Sequence, residues 1–98
     1  VTTVLADGMA CRVPDAESLE VVLREADDVV AVTDAEVAQA MRVLFADTHN
    51  VAEGAGAAAL AAAMQQRDAL QGKVVGVTLC GGNVDSEVFA RVLAGADA

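Results

Sequence analysis

The 98-residue sequence has few aromatic, basic and cysteine residues, and each shortage narrows the class of protein. Phe45 and Phe89 are its only aromatic residues of the Phe, Tyr and Trp set, so the 55% hydrophobic content reflects alanine and valine. Such a composition suits closely packed helices and buried parallel strands. The length allows at most one domain with a thin core. The composition therefore predicts a small soluble globular unit.

Basic residues are scarce: the sequence has six Lys and Arg residues and 15 acidic residues, which gives a formal net charge of −9. Proteins that bind nucleic acid neutralise its phosphates with a basic patch, and the sequence has no such patch. We therefore expect no nucleic-acid partner. The acidic cluster Glu25–Asp28 is interpreted as a solvated face near a helix end, not as a metal site.

The two cysteines, Cys11 and Cys80, lack the spacing of metal ligands and are interpreted as free thiols of a cytoplasmic protein. The longest apolar tract, Ala55–Met64, is far shorter than the ~20 residues needed to cross a bilayer, so no membrane span is expected. No signal peptide is visible. The chain starts at Val1 without an initiator methionine, which suggests that the gene product begins further upstream.

Hydrophobic periodicity predicts the order helix, strand, helix, helix, strand, helix. Thr33 and Glu36 form the capping-box pattern of a helix start, and Gly72 is interpreted as a helix cap. Two parallel strands make a poor sheet alone, so the fold class is predicted as α/β with a partial doubly wound sheet. The helices begin near Pro14, Asp34, Glu53 and Val84, and the strands are Val29–Val32 and Lys73–Leu79.

Each predicted helix has apolar residues on one face, and these are the expected core. They are Ala16, Leu19, Val22, Leu23 and Ala26 on the first helix, Val37, Ala40, Met41, Leu44 and Phe45 on the second, and Val88, Phe89, Val92 and Leu93 on the last.

The turn Cys80-Gly81-Gly82-Asn83 follows the second predicted strand and precedes a helix start. In open α/β sheets, ligands bind where parallel strands end, because helix N-termini there present free backbone N–H groups. The two glycines allow close approach, and Cys80 places a polarizable sulfur at the edge of the crevice. A plain strand-to-helix turn without a ligand accounts for the same residues.

Three stretches in order carry a resemblance to a known family: Leu5–Gly8, Glu53–Ala57 and Leu79–Asp85. Together they resemble the C-terminal part of the catalytic domain of threonine dehydratases and serine racemases. These are pyridoxal-phosphate enzymes of the tryptophan-synthase-beta type, or fold type II. The resemblance runs along residues 1–98 and implies that this chain is an incomplete large domain of such an enzyme.

The resemblance implies roles for five residues. Cys80 matches a serine or cysteine that contacts the pyridine nitrogen of the cofactor, and Gly81 adjoins it in the cofactor-binding turn. Gly8 matches a glycine whose backbone lies against cofactor and substrate, and Glu53 matches a glutamate near the ring. Asn83 matches a position that binds a nucleotide effector in some relatives, or else caps a helix. An ordinary turn glycine and a first-turn acid are the alternatives for Gly8 and Glu53.

The sequence also departs from the family. Its only lysine, Lys73, does not match the Schiff-base lysine, and the glycine-rich phosphate loop and metal carboxylates of the family are absent. The resemblance therefore implies no catalytic residue and no metal site in this chain, which is expected to be inactive alone.

For the parent enzyme, the resemblance implies β-elimination from threonine or serine to a 2-oxo acid and ammonia, in threonine catabolism or isoleucine biosynthesis. The implied partners are an amino-acid substrate, the remainder of the catalytic domain and further copies in a homo-oligomer. Two alternatives stay open: a free-standing small α/β binding or structural module, and a racemase or other lyase of the same family.

Overall fold

The computed structural model describes residues 2–98, and its regular structure there is helical. A single 3-10 turn at Asp7–Met9 precedes the α-helices. No helix in this range is long and apolar enough to cross a membrane. The helices are α1 (Ala16–Glu25), α2 (Asp34–Thr48), α3 (Gly54–Gln65), α4 (Arg67–Leu70) and α5 (Ser86–Leu93).

Side chains fix the amino ends of the first two helices. The Asp15 carboxylate accepts the Ser18 N–H at 3.0 Å and caps α1. At α2 the predicted capping box is confirmed, because the Thr33 hydroxyl accepts the Glu36 N–H and the Glu36 carboxylate accepts the Thr33 N–H. Each cap satisfies a backbone N–H that has no partner inside the helix.

The core lies between α2 and α3, with α5 packed against α2. α3 contributes only glycine and alanine to the buried set, so its backbone can lie close to α2. α5 contributes Val92, and Phe89 meets Phe45 edge-on with ring centroids 5.5 Å apart. The predicted inward positions Val37, Ala40 and Met41 are confirmed as buried.

The two predicted strands are wrong, and with them the predicted sheet. Within residues 2–98 no strand is formed, and the ranges 29–32 and 74–80 make no backbone hydrogen bond to each other. Val74 is fully exposed. A strand needs a neighbour about 4.8 Å away for its N–H and C=O groups, and the helices of this chain offer none. The Ala31 carbonyl instead accepts a hydrogen bond from the Gln65 side chain at 2.7 Å.

Two predicted helices differ in detail from the structure. α1 forms, but its apolar face is uncovered, with Leu23 76% exposed, so the predicted burial of that face is wrong. The helix predicted to begin near Glu53 is divided at Gln66 into α3 and α4. Gly72 follows with a positive φ of 80°, the backbone conformation expected of a cap glycine.

Candidate functional site

The amino end of α3 is where the three motif stretches meet. The Leu5–Gly8 stretch lies on one side of the first turn of α3, and the Cys80–Gly82 stretch lies on another. Glu53, the N-cap residue, joins the second contact because its N–H donates to the Gly81 carbonyl at 3.0 Å. Residues more than 70 positions apart in sequence are therefore assembled around one helix terminus.

Glycine permits the contact with the Leu5–Gly8 stretch. A Cβ on Gly54 would collide with the carbonyl group of Leu5, which is backbone and cannot rotate away. A Cβ on Gly8 would lie 3.0 Å from the Cβ of Ala55, closer than ordinary van der Waals contact. The Ala6–Gly8 turn is thus seated on α3 at a distance that larger residues do not allow.

The contact with the Cys80–Gly82 stretch has the same character. A Cβ on Gly56 would overlap the Gly81 carbonyl oxygen, and a Cβ on Gly82 would overlap the Val51 carbonyl oxygen. A Cβ on Gly81 would collide with the Glu53 carboxylate. Gly81 therefore lies between the α3 backbone and the Glu53 side chain, and no other residue type fits without movement.

Cys80 borders an open apolar groove along α3. Its thiol is exposed, and the sulfur is 3.9 Å from the Ala55 carbonyl oxygen. Alanine methyl groups form the floor of this groove of about 410 Å³, and its lining residues are Met9, Val30, Val32, Ala55, Ala58, Ala59, Ala62, Thr78 and Cys80.

A second, smaller cleft of about 210 Å³ lies at the amino ends of α3 and α5. Its lining includes Asp7, Glu53, Asn83 and Arg91. The structure therefore brings Glu53 and Asn83 to the same cleft and places Cys80 in the neighbouring groove. Asn83 does not cap α5, whose N-cap residue is Asp85.

Asp34 is a residue of this region that sequence reasoning missed. Its carboxylate accepts hydrogen bonds from the Thr3 hydroxyl and from the N–H groups of Val4 and Leu5. The sequence pattern placed Asp34 only in the first turn of a capped helix. No local signal could have identified the contact, because Asp34 and its partners are about 30 positions apart.

The chain belongs to a family of pyridoxal-phosphate dependent enzymes, since the model of that family matches residues 1–81. The match covers two of the three motif stretches and the beginning of the third. Members of this family have the type II fold, whose sheet is not formed within residues 2–98. No solved structure matches the chain.

Curated relatives of this chain include ammonia-lyases, dehydratases and a serine racemase. The chain is 38% identical over 89 residues to an L-threonine ammonia-lyase of Thermotoga maritima, covering 91% of this chain and 22% of that protein. It is 39% identical over 94 residues to an L-threonine ammonia-lyase of Geobacter sulfurreducens, covering 95% of this chain and 23% of that protein. A phenylserine dehydratase of Ralstonia pickettii is 41% identical over 90 residues, with 91% and 28% covered. The resemblance to threonine dehydratases is confirmed, and the chain spans roughly a quarter of these relatives.

The residues around the groove fit one side of the family's cofactor. A flat pyridine ring is apolar on its faces, and the alanine floor of the groove presents no polar group or bulky side chain to it. The Cys80 thiol adds one weak hydrogen-bond donor, the type of group that an unprotonated ring nitrogen accepts. Lys73 lies at the opposite end of the 73–80 segment from Cys80, and its backbone N–H donates to Leu70.

Proposed function

We propose that this chain is the C-terminal part of the catalytic domain of a pyridoxal-phosphate dependent ammonia-lyase that acts on a hydroxy amino acid. The observation that supports this most strongly is the meeting of three separated motif stretches at the amino end of α3. A chance resemblance would have no reason to bring Gly8, Glu53 and Cys80 around one helix terminus.

In this proposal the chain supplies one wall of the cofactor site. When bound, pyridoxal phosphate withdraws electrons from the α-carbon of an amino acid. The Cys80 thiol would donate a weak hydrogen bond to the ring nitrogen, and such a donor would leave that nitrogen unprotonated, which would moderate electron withdrawal and suit elimination. Gly8 would border the cofactor and substrate through its backbone, and Gly81 brings the turn close to Glu53.

The proposed substrate is an amino acid with a hydroxyl on its β-carbon. The relatives include a threonine ammonia-lyase and a phenylserine dehydratase, and the substrates of both carry that hydroxyl. The products are a 2-oxo acid and ammonia. We assign no catalytic residue to this chain and expect no turnover from it alone, because its one lysine, Lys73, does not match the Schiff-base lysine of the family.

The two exposed thiols allow a direct test of the proposed wall. Cys80 and Cys11 are both exposed, so both are open to alkylation by iodoacetamide. Pyridoxine 5′-phosphate keeps the ring and phosphate of the cofactor but lacks the aldehyde, so it cannot react with amines. We expect it to slow alkylation of Cys80 and to leave Cys11 unchanged, as measured by peptide mass spectrometry. Equal rates at Cys80 with and without the compound would contradict the proposal.

The parent-enzyme part of the proposal has its own test. The mass of this protein in extracts of its source is measured with an antibody against α1 followed by mass spectrometry. A free-standing module would have the 9.9 kDa of these residues, whereas a catalytic domain would be several-fold heavier. A purified native protein of 9.9 kDa would overturn the enzyme proposal.

We further propose a cytoplasmic location, a role in threonine breakdown or isoleucine synthesis, and assembly into a homo-oligomer. Uncovered apolar side chains support association, because Leu23 on α1 and Val74 and Val75 in the 73–80 segment are exposed. Light scattering over a range of protein concentrations tests the assembly. A mass that stays at one chain or one domain at every concentration would contradict it.

A further inference from the structure

We propose that Asp34 is a positioning residue that holds the Ala6–Gly8 turn in its place against the amino end of α3. Asp34 touches neither the groove nor the smaller cleft. It acts on the site through the backbone of residues 3–6. The inference rests on the proposed function only for the statement that this turn borders the cofactor.

Three hydrogen bonds join the Asp34 carboxylate to the segment before the turn. One carboxylate oxygen accepts the Thr3 hydroxyl, and the other accepts the Val4 N–H at 2.8 Å and the Leu5 N–H at 3.3 Å. The Thr3 hydroxyl oxygen in turn accepts the Ala6 N–H at 2.9 Å. Four consecutive residues are thereby fixed, directly or through one hydroxyl, to one carboxylate.

These bonds have no substitute elsewhere in the described chain. Every other hydrogen bond of residues 3–11 stays within that stretch, as in the Met9 N–H to Ala6 carbonyl bond of 3.0 Å. Leu5 and Ala6 are buried beside Gly54, so their apolar contacts hold the segment on its other side. The segment is therefore attached in two ways, by hydrogen bonds to Asp34 and by apolar contacts beside Gly54.

The chemistry of the site requires a carboxylate. Three donors converge on Asp34, and an ionised carboxylate is an acceptor only, with two oxygens available. An asparagine at position 34 would present one oxygen and two N–H donors, and the donors would face other donors. The first turn of α2 also favours negative charge through its free N–H groups. Hydrogen bonds to an ionised acceptor are stronger than neutral ones.

Amide hydrogen exchange measured by NMR on the 98-residue chain tests the proposal without any cofactor. Asp34→Asn is expected to speed exchange of the Val4 and Ala6 amides about tenfold, the size expected for loss of a charged acceptor. The matched control is Asp15→Asn, which removes the same charge from the N-cap of α1. The control should leave Val4 and Ala6 unchanged. Equal exchange in Asp34→Asn and wild type would overturn the proposal.

A second variant, Thr3→Val, distinguishes loss of specific hydrogen bonds from general unfolding of the segment. It removes the relay hydroxyl but keeps the carboxylate, so exchange should rise at Ala6 and change little at Val4. An equal rise at both amides would mean that the segment loosens as a whole, and the proposed relay would be wrong. Far-ultraviolet circular dichroism of every variant should show wild-type helix content.

Ligand shifts separate this inference from the proposed function. With pyridoxine 5′-phosphate as the probe, Asp34→Asn should lose the amide shift at Gly8 and keep the shift at Cys80, on the other side of α3. Loss at both sites would show general damage and overturn a specific positioning role. If wild type shows no shift at either residue, the proposed function fails, and the exchange results still decide whether Asp34 holds the turn.

Discussion

Two apolar regions of this chain differ in burial although both are rich in aliphatic residues. The helical core of α2, α3 and α5 buries small residues such as Ala40 and Ala57 completely. The uncovered periphery, which consists of α1 and residues 29–31 and 74–79, leaves larger residues such as Leu23 and Val74 in contact with solvent. Hydrophobic side chains are buried only where a neighbour is available, and the helices of the core are neighbours to one another.

The same contrast applies to glycine. Gly54 in α3 lies against the Leu5 backbone and Gly56 lies against the Gly81 backbone, whereas a Cβ at Gly76 in the periphery would meet nothing within 4 Å. A glycine in the core therefore allows two chain segments to lie close together, whereas Gly76 in the periphery has no neighbouring segment to admit. The contrast between core and periphery can be tested by matched substitutions.

The largest effect is expected from shortening a core side chain. Met41→Ala removes a fully buried side chain and should lower the free energy of unfolding by about 3 kcal/mol, through lost burial and a residual cavity. Leu23→Ala in α1 is the control and should change it by less than about 0.5 kcal/mol. Urea unfolding followed by circular dichroism measures both. Similar losses would show that α1 is covered in solution.

Adding a methyl group should have the next largest effect. Gly56→Ala directs a Cβ into the Gly81 carbonyl, and we expect a loss of about 2 kcal/mol in spite of the better helix propensity of alanine. Gly76→Ala makes the same chemical change where the space is open. The same urea titration compares them. An unchanged or raised stability of Gly56→Ala would show that the Cys80–Gly82 stretch is not held against α3.

A smaller effect is expected from acid. Burial raises the pKa of the Asp34 carboxyl, but hydrogen bonds from Thr3, Val4 and Leu5 more than offset this, so its pKa lies below the ordinary 3.8. A lowered folded-state pKa contributes stability above the unfolded-state pKa, and that stability is lost as pH falls through the folded-state value.

Wild type should therefore exceed Asp34→Asn by about 1 kcal/mol at neutral pH, the net worth of a hydrogen bond to a charged group near the surface. The difference should begin to shrink as pH falls below the ordinary pKa and vanish below the folded-state pKa. Paired urea titrations across this range measure it. A difference that stays constant into acid would assign the effect to packing instead of charge.

The smallest effect is a gain in stability at the end of α2. His49 takes a left-handed conformation with φ of 59°, which is unfavourable for a residue with a Cβ. His49→Gly should raise the free energy of unfolding by about 0.5 kcal/mol, since glycine is the preferred residue at such a helix end. His49→Ala is the control, because it keeps the strained Cβ and removes the ring. A gain in both variants would point to the ring contact with Phe45, 6.5 Å away, as the unfavourable element.

Local signals in the sequence predicted the helices well. The capping box at Thr33 and Glu36 is decided by residues three positions apart, and Val37 and Met41 recur at helical spacing, so both could be identified without the fold. The strands failed for the opposite reason. A run such as Val74–Leu79 shows a tendency to be buried, but pairing depends on a neighbouring strand that no short run can specify.

The candidate site, like the fold, could be predicted from the sequence only in part. The motif stretches around Gly8, Glu53 and Cys80 could be recognised in order, and their glycines predicted close approach. Their meeting at the start of α3, and the separation of Cys80 from Glu53 and Asn83 into two clefts, depend on tertiary packing. Asp34 lay beyond prediction because its partners are distant in sequence.

The contacts that join the motif stretches at α3 run from backbone to backbone, and this has a consequence for evolution. A spacing set by main-chain atoms is insensitive to the identity of surrounding side chains, provided that Gly54 and Gly56 stay glycine. Side chains on the rim are then free to diverge and to select different ligands while the frame beneath them keeps its dimensions. The glycines of α3 and the backbone that they contact must therefore stay constant in this scaffold, whereas selection can alter the side chains around them.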